Sequence, residues 1–160
     1  MDPLLIDTEN KYQLIKSARN LRKQFNIPPS AQIVFVIAPN PGKSDFLEEE
    51  AESIMSSANA SDLAIRKDFQ PDRPMPSEIT ALGTLYMELN REFVDHEKEK
   101  NRLQRKIDDL SGVIQRAGKK LNNEKFVNNA PPEVVSKEKE KYETLQKDLT
   151  QLQETLIFFE

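Results

Sequence analysis

Residues 103–135 read LQRKIDDLSGVIQRAGKKLNNEKFVNNAPPEVV, and this stretch decides the fold. Its apolar residues step alternately by four and three positions, the spacing that keeps one side of a helix against a partner helix. The outgoing positions are Leu103, Ile107, Leu110, Ile114, Ala117 and Leu121. The returning positions are Val135, Glu138, Tyr142, Leu145, Leu149, Leu152, Leu156 and Phe159. We call these positions the seam; they predict two paired helices, with Glu138 as the one acidic member.

A break between the two runs predicts a hairpin rather than one long helix. Residues 122–130 are rich in asparagine, which has weak helix preference, and Pro131 cannot sit inside a helix. Proline is favoured in a first turn, so Pro131 and Pro132 are expected to start the second helix. Antiparallel closure then pairs Leu121 with Val135. Limbs of roughly 30 residues would form an arm about 40–45 Å long.

The first helix and first strand are predicted from capping residues and hydrophobic pattern. The helix is expected to open near Asp7 or Thr8, whose side chains can accept hydrogen bonds from first-turn amides. It should end before Pro28, since the residue that precedes a proline is pushed out of the helical region. The run from Ile33 to Ile37 is β-branched and aromatic, which predicts a buried strand.

A second helix and two further strands are predicted before the arm. The helix is expected to run from Ser44, acting as its cap, to Ser57. Residues 63–65 indicate a short strand. The apolar residues within 79–89 indicate a last strand that bends near Gly83.

The predicted fold class is α+β. Residues 1–90 form a small helix-strand-helix-strand-strand unit with a short mixed sheet. Residues 91–160 form a long antiparallel two-helix coiled-coil hairpin.

Composition limits what the chain can be. Its 160 residues carry a net charge of -4 and no cysteine, so disulfides and thiolate metal sites are excluded. No apolar run approaches the roughly 20 residues of a membrane span, and the first residues lack the basic start of a signal peptide. We expect a soluble, monomeric, cytoplasmic protein without membrane contact. Any nucleic-acid binding must use a local basic patch.

Catalytic chemistry is hard to assemble from these residues. His96 is the only histidine and falls on the extrapolated seam, which favours packing over proton transfer. The sequence Gly42-Lys43-Ser44 imitates the end of a phosphate-binding loop, but Ile37 stands where that motif needs a glycine. We therefore expect no catalytic site, metal or cofactor in this chain.

Positive charge gathers at the predicted hairpin loop. Four cations stand there: Arg116, Lys119, Lys120 and Lys125. Phe126 can close the open end of the seam, which we favour, or stack on a base or sugar. A basic rod with an aromatic tip suits contact with folded RNA through shape and phosphates.

The first helix carries a second basic face without an acidic residue. Its members are Lys11, Lys16, Arg19, Arg22 and Lys23. A solvated face is the favoured interpretation, and contact with nucleic-acid phosphate is the alternative.

Three stretches carry a resemblance to bacterial valyl-tRNA synthetase. Residues 120–135, KLNNEKFVNNAPPEVV, followed by a charged heptad helix, resemble the carboxy-terminal arm of that family. Residues 19–29, RNLRKQFNIPP, resemble the end of its anticodon-binding region, and residues 82–86, LGTLY, resemble the strand that leads into the arm. The resemblance covers essentially the whole chain in the right order.

The resemblance implies a carboxy-terminal fragment of a valine–tRNA ligase. The parent would activate valine with ATP and attach it to tRNA, whereas the family's His-Ile-Gly-His and Lys-Met-Ser-Lys-Ser types of catalytic signature are absent here. The arm would lie against the outer corner of the valine-specific tRNA. Candidate contacts by position are Arg105, Arg116, Lys119, Lys120, Lys125 and Phe126, with Arg19 and Arg22 as weaker candidates.

Two other functions remain open at this point. A structural or adaptor protein would use the same heptads to bind a partner helix. A small nucleotide-hydrolysing enzyme would use Gly42-Lys43-Ser44, which the missing glycine makes the least favoured choice.

Overall fold

A computed structural model describes residues 2–89 and 95–160 of the chain. The chain divides into two compact units, Met1–Asp95 and His96–Glu160. The predicted boundary between residues 90 and 91, and the predicted start of the arm there, lie outside the described residues. In the described residues, no helix combines the length and the apolarity that crossing a bilayer requires.

Helix α1, Pro3–Gln24, begins earlier than the sequence suggested. The Asp2 side chain accepts a hydrogen bond from the Leu4 amide at 3.0 Å, and Pro3 occupies the first turn, where its missing donor costs nothing. The predicted opening near Asp7 or Thr8 is therefore wrong. The helix ends before the Pro28 pair as predicted, with Asn26 in the left-handed region.

The sheet is mixed and has four strands. They are β1 (Ile33–Pro39), β2 (Ala60–Ile65), β3 (Ser77–Ile79) and β4 (Gly83–Met87), in the order β2-β1-β4-β3. Strand β1 pairs in parallel with β2 and antiparallel with β4, and β3 pairs antiparallel with β4. Helix α2, Ser44–Ala58, connects the parallel pair. The α+β class and the mixed sheet are confirmed.

The predicted last strand is a hairpin, so the first unit has one strand more than expected. Backbone hydrogen bonds join Thr80 and Gly83 in both directions, and the Thr80 hydroxyl donates to the Gly83 carbonyl at 2.7 Å. Gly83 has a φ of 153° and lies against β1, where a Cβ would stand 2.3 Å from the Ala38 carbonyl oxygen. The bend inferred at Gly83 is a tight turn that a side chain would block.

Helix α2 starts where expected, but its cap differs. Lys43 is the cap residue and makes no side-chain capping bond, while Ser44 is already helical, so the predicted Ser44 cap is wrong. The Lys43 ammonium instead donates to Asp7 of α1 at 2.9 Å. The Lys11–Glu50 ion pair, at 2.7 Å, joins the same two helices further along.

The second unit contains three helices. They are α3 (His96–Leu121), α4 (Glu124–Asn129) and α5 (Pro132–Ile157). Helices α3 and α5 run antiparallel, since His96 packs its ring against Phe159 at one end and Lys120 meets Glu138 at the other. All predicted seam positions are buried or half-buried, whereas most residues between them are exposed.

The asparagine-rich loop contains helical structure that the sequence did not predict. The Asn123 side chain accepts a hydrogen bond from the Lys125 amide at 3.0 Å, which caps the six residues of α4. Pro131 is the cap of α5 and Pro132 its first residue, so the predicted start of the second helix is confirmed.

We expect Gly83→Ala to unfold the first unit more readily than Gly42→Ala. Gly42 also has positive φ, at 79°, but nothing lies within 4 Å of a Cβ there. Its replacement should lower the free energy of unfolding by about 1 kcal/mol through backbone strain alone, whereas Gly83→Ala adds a backbone clash and should cost about 3 kcal/mol or more. Urea denaturation of the two variants provides the comparison, and equal losses would contradict the turn geometry.

Candidate nucleic-acid interface

The end of α3 and the short α4 bring four cations to one end of the hairpin. We call Arg116, Lys119, Lys120 and Lys125 the tip cluster. Arg116, Lys119 and Lys125 are exposed, and the structure shows no acidic partner for them within residues 2–89 and 95–160. Their charges are available to an anion in solution.

Lys120 differs from the other members of the tip cluster. Its ammonium lies 3.4 Å from a carboxylate oxygen of Glu138 on α5. The same ammonium lies 4.8 Å from the centroid of the Phe126 ring, within the range of a cation–π contact. The Lys120 side chain is 48% exposed, so one side of it contacts the protein and the other side contacts solvent.

Phe126 is fixed within the hairpin. Its side chain is half-buried, and its carbonyl accepts a hydrogen bond from the Ala130 amide at 2.9 Å. Because the Lys120 ammonium lies over the ring, less of the ring is available for a base. This arrangement favours the packing role over stacking on RNA.

Arg105 is exposed on α3, eleven residues before Arg116. At 1.5 Å per residue it lies about 16 Å along the helix from the tip cluster. Arg105 is therefore not a member of the tip cluster in the structure.

Arg22 and Arg19 belong to the first unit and serve its packing. Arg22 is only 7% exposed, and its guanidinium donates to the carbonyls of Pro28 at 2.9 Å, Ala31 at 2.7 Å and Asn59 at 3.3 Å. Burial lowers the pKa of Arg22 from its ordinary value, because desolvation disfavours the charged form. A side chain engaged in this way is poorly available to a phosphate, which argues against the predicted Arg22 contact.

Arg19 remains exposed but is also engaged. Its Nε and Nη2 donate to the Ser57 carbonyl, at 3.0 and 2.9 Å, near the carboxyl end of α2. Cations at that end of a helix satisfy carbonyls that lack helical partners. Sequence periodicity placed both arginines on a polar face, but it did not distinguish a solvated guanidinium from one that binds backbone carbonyls.

The loop that imitates a phosphate site is arranged differently from a phosphate cradle. Lys43, which stands where a phosphate-binding loop has its lysine, forms an ion pair with Asp7. The crevice beside the loop is lined by acidic residues, Asp45 and Asp68, together with Lys67. These carboxylates disfavour a nucleotide phosphate.

His96 has a packing environment, as its position on the seam predicted. Its ring meets Phe159 edge to face, with centroids 5.2 Å apart. Nε2 is buried and has no hydrogen-bond partner within the described ranges. Nor do those ranges contain three His, Cys, Asp or Glu residues placed to hold a metal ion.

The Lys120–Glu138 pair is the feature of the tip that sequence reasoning missed. Glu138 was recognised only as an acidic interruption of the seam. The predicted pairing of Leu121 with Val135 already places Lys120 and Glu138 at nearly the same level, and that pairing was the signal available.

Comparison with known proteins shows which family the hairpin is similar to. Residues 95–157 match the family described as the valyl tRNA synthetase tRNA binding arm. The chain is 35% identical over 147 residues to a valine–tRNA ligase of Clostridium acetobutylicum, covering 90% of this chain and 16% of that protein. Similar ligases of Geobacter sulfurreducens and Clostridium perfringens are 34% and 36% identical, each over 81% of this chain. The chain spans only 14% to 16% of the length of these relatives.

We expect Arg22→Met to destabilise the first unit by about 2–4 kcal/mol, because it leaves buried carbonyls without their charged donor. Arg19→Met is the matched control, since it removes a guanidinium from an exposed site and should cost less than about 1 kcal/mol. Urea denaturation monitored by circular dichroism measures both. Equal, small losses would show that Arg22 is not needed for packing.

Proposed function

We propose, on the premise that this chain is related to the carboxy-terminal part of valyl-tRNA synthetases, that its hairpin holds tRNA through phosphate and shape contacts. The observation that carries the proposal is the group of exposed cations at the tip, which lies within the matched tRNA-binding arm. This part of the protein performs no catalysis of its own. It is a binding element of an aminoacyl-tRNA ligase.

The chemistry of the whole ligase belongs to the part of the relatives that this chain does not match. We infer that the parent activates valine with ATP and joins it to valine tRNA. The fragment then needs no cofactor, and its task is to hold the tRNA outside the catalytic site. We further propose that fragment and parent are monomeric and cytoplasmic.

The hairpin is proposed to pack as a coiled coil. Seam residues of α3 and α5 alternate by four and three, which suits knobs-into-holes packing of two helices. Gly118 of α3 faces the Tyr142 ring of α5, and a Cβ at that position would lie 3.5 Å from the ring, an ordinary van der Waals distance. A stiff arm of this kind presents its tip at a fixed distance from its base.

The proposed contacts are Arg105, Arg116, Lys119 and Lys125. Lysine and arginine side chains neutralise phosphates and release counterions, which supplies affinity without sequence discrimination. Contacts of this type suit the outer corner of a folded tRNA, where shape is read rather than base sequence. The arm is therefore expected to bind different tRNAs with similar affinity.

The adaptor function is less favoured because the seam is already filled. The apolar side of α3 packs against α5 of the same chain, so these positions are not free to recruit a partner helix.

We expect Lys119→Glu with Lys125→Glu to weaken tRNA binding at least tenfold. Each lost phosphate contact should reduce the slope of log affinity against log salt by about 0.7–0.9. Lys120 is left unchanged, because a glutamate there would face Glu138. The measurement is the affinity of the chain for valine tRNA and for an unrelated tRNA at several salt concentrations.

The matched control is Lys106→Glu with Lys147→Glu, which makes the same charge change at exposed positions of α3 and α5 that lie away from the loop end of the hairpin. Helicity measured by circular dichroism should be the same for both variants. An equal loss of affinity in the control would remove the tip from the mechanism, and unchanged affinity of the tip variant would refute the proposed function.

A further inference from the structure

Glu138 is an acidic residue at a position where the seam otherwise uses apolar or small side chains. Its side chain is 23% exposed, so it is partly removed from water. Partial burial of a carboxylate is unfavourable unless a partner compensates it. The compensating partner is Lys120, whose ammonium lies 3.4 Å away.

Lys120 joins all three helices of the hairpin. Its side chain starts on α3, pairs with Glu138 of α5 and lies over the Phe126 ring of α4, 4.8 Å from the centroid. We call Lys120, Glu138 and Phe126 the clasp. A helix as short as α4, with six residues, is not stable by itself and depends on such tertiary contacts.

The clasp affects the position of Lys125. Lys125 precedes Phe126 in α4, so an anchored Phe126 fixes the turn that carries the Lys125 side chain. Lys119 lies on α3 and does not depend on the position of α4. The Lys120 charge is itself offset by Glu138, which makes Lys120 a poorer phosphate ligand than its exposed neighbours.

We propose that Lys120 and Glu138 are positioning residues, which hold Phe126 and α4 so that Lys125 presents its charge to RNA. In this arrangement Lys120 is not itself a phosphate contact. The inference rests on the proposed function of the hairpin in tRNA binding, and it reassigns Lys120 and Phe126 from contact to support.

The decisive variant is Glu138→Gln, because two explanations predict opposite signs. Removing a negative charge close to the tip should strengthen binding of a polyanion if only electrostatics matter. If Glu138 positions α4, the same change should weaken binding of transcribed valine tRNA about threefold. Affinity equal to or tighter than that of the unchanged chain would overturn the inference.

Coupling to Lys125 supplies a second readout. Once Lys125→Gln has removed the proposed contact, adding Glu138→Gln should cause no further loss, whereas Lys119→Gln and Glu138→Gln should act additively. Lys120→Arg keeps the charge and the ring contact and should bind within about twofold of the unchanged chain. Additivity of Glu138→Gln with Lys125→Gln would overturn the proposed route through α4.

Phe126→Leu tests the clasp without changing any charge. It keeps apolar packing but removes the ring face, and it should weaken tRNA binding and raise amide hydrogen exchange within α4 while α3 and α5 stay protected. Unchanged affinity and exchange would overturn the inference. If the Lys119→Glu, Lys125→Glu variant binds normally, the proposed function itself fails; if that variant loses affinity while Glu138→Gln does not, only the clasp fails.

Discussion

Apolar contact between α3 and α5 is the interaction on which the second unit depends. Both helices are 26 residues long and rich in charge, and such helices gain most of their stability from packing one face against a partner. The seam supplies that face, with Leu103, Ile107 and Val135 among its buried members. The presentation of the tip follows from this contact, because the tip lies where the two seam-bearing helices are joined.

Charged side chains have different roles in the two units. In the first unit, Lys11 and Lys43 form ion pairs with carboxylates of the same unit, and Arg22 donates hydrogen bonds to backbone carbonyls. At the hairpin tip, Lys119 and Lys125 stay exposed. A chain with a net charge of -4 can still present a local positive surface, because Arg116, Lys119 and Lys125 gather at one end of the hairpin and no salt bridge among the described residues uses them.

The seam was predictable from the sequence because its period of about 3.5 residues is a local property that survives folding. The hairpin was predictable for the same reason, since Pro131 cannot continue a helix. The β-branched residues of β1 predicted that strand, and the mixed sheet agrees with the predicted α+β class. The errors occurred at helix caps. Asp2 and Asn123 are residue types that favour the cap position, but other such residues compete with them along the sequence, whereas Lys43 caps α2 without a side-chain bond.

The sequence by itself determined the period of the seam, the break at the prolines and the local excess of cations near the loop, because these depend on neighbours along the chain. Only the tertiary structure decided which cations are available. Arg22 meets three carbonyls from two other segments, and Lys120 meets residues of two other helices, so neither environment is complete until distant parts of the chain come together. Whether a charged side chain is buried, paired or exposed depends on residues far away in the sequence, since desolvation and pairing are set by the segments that fold against it.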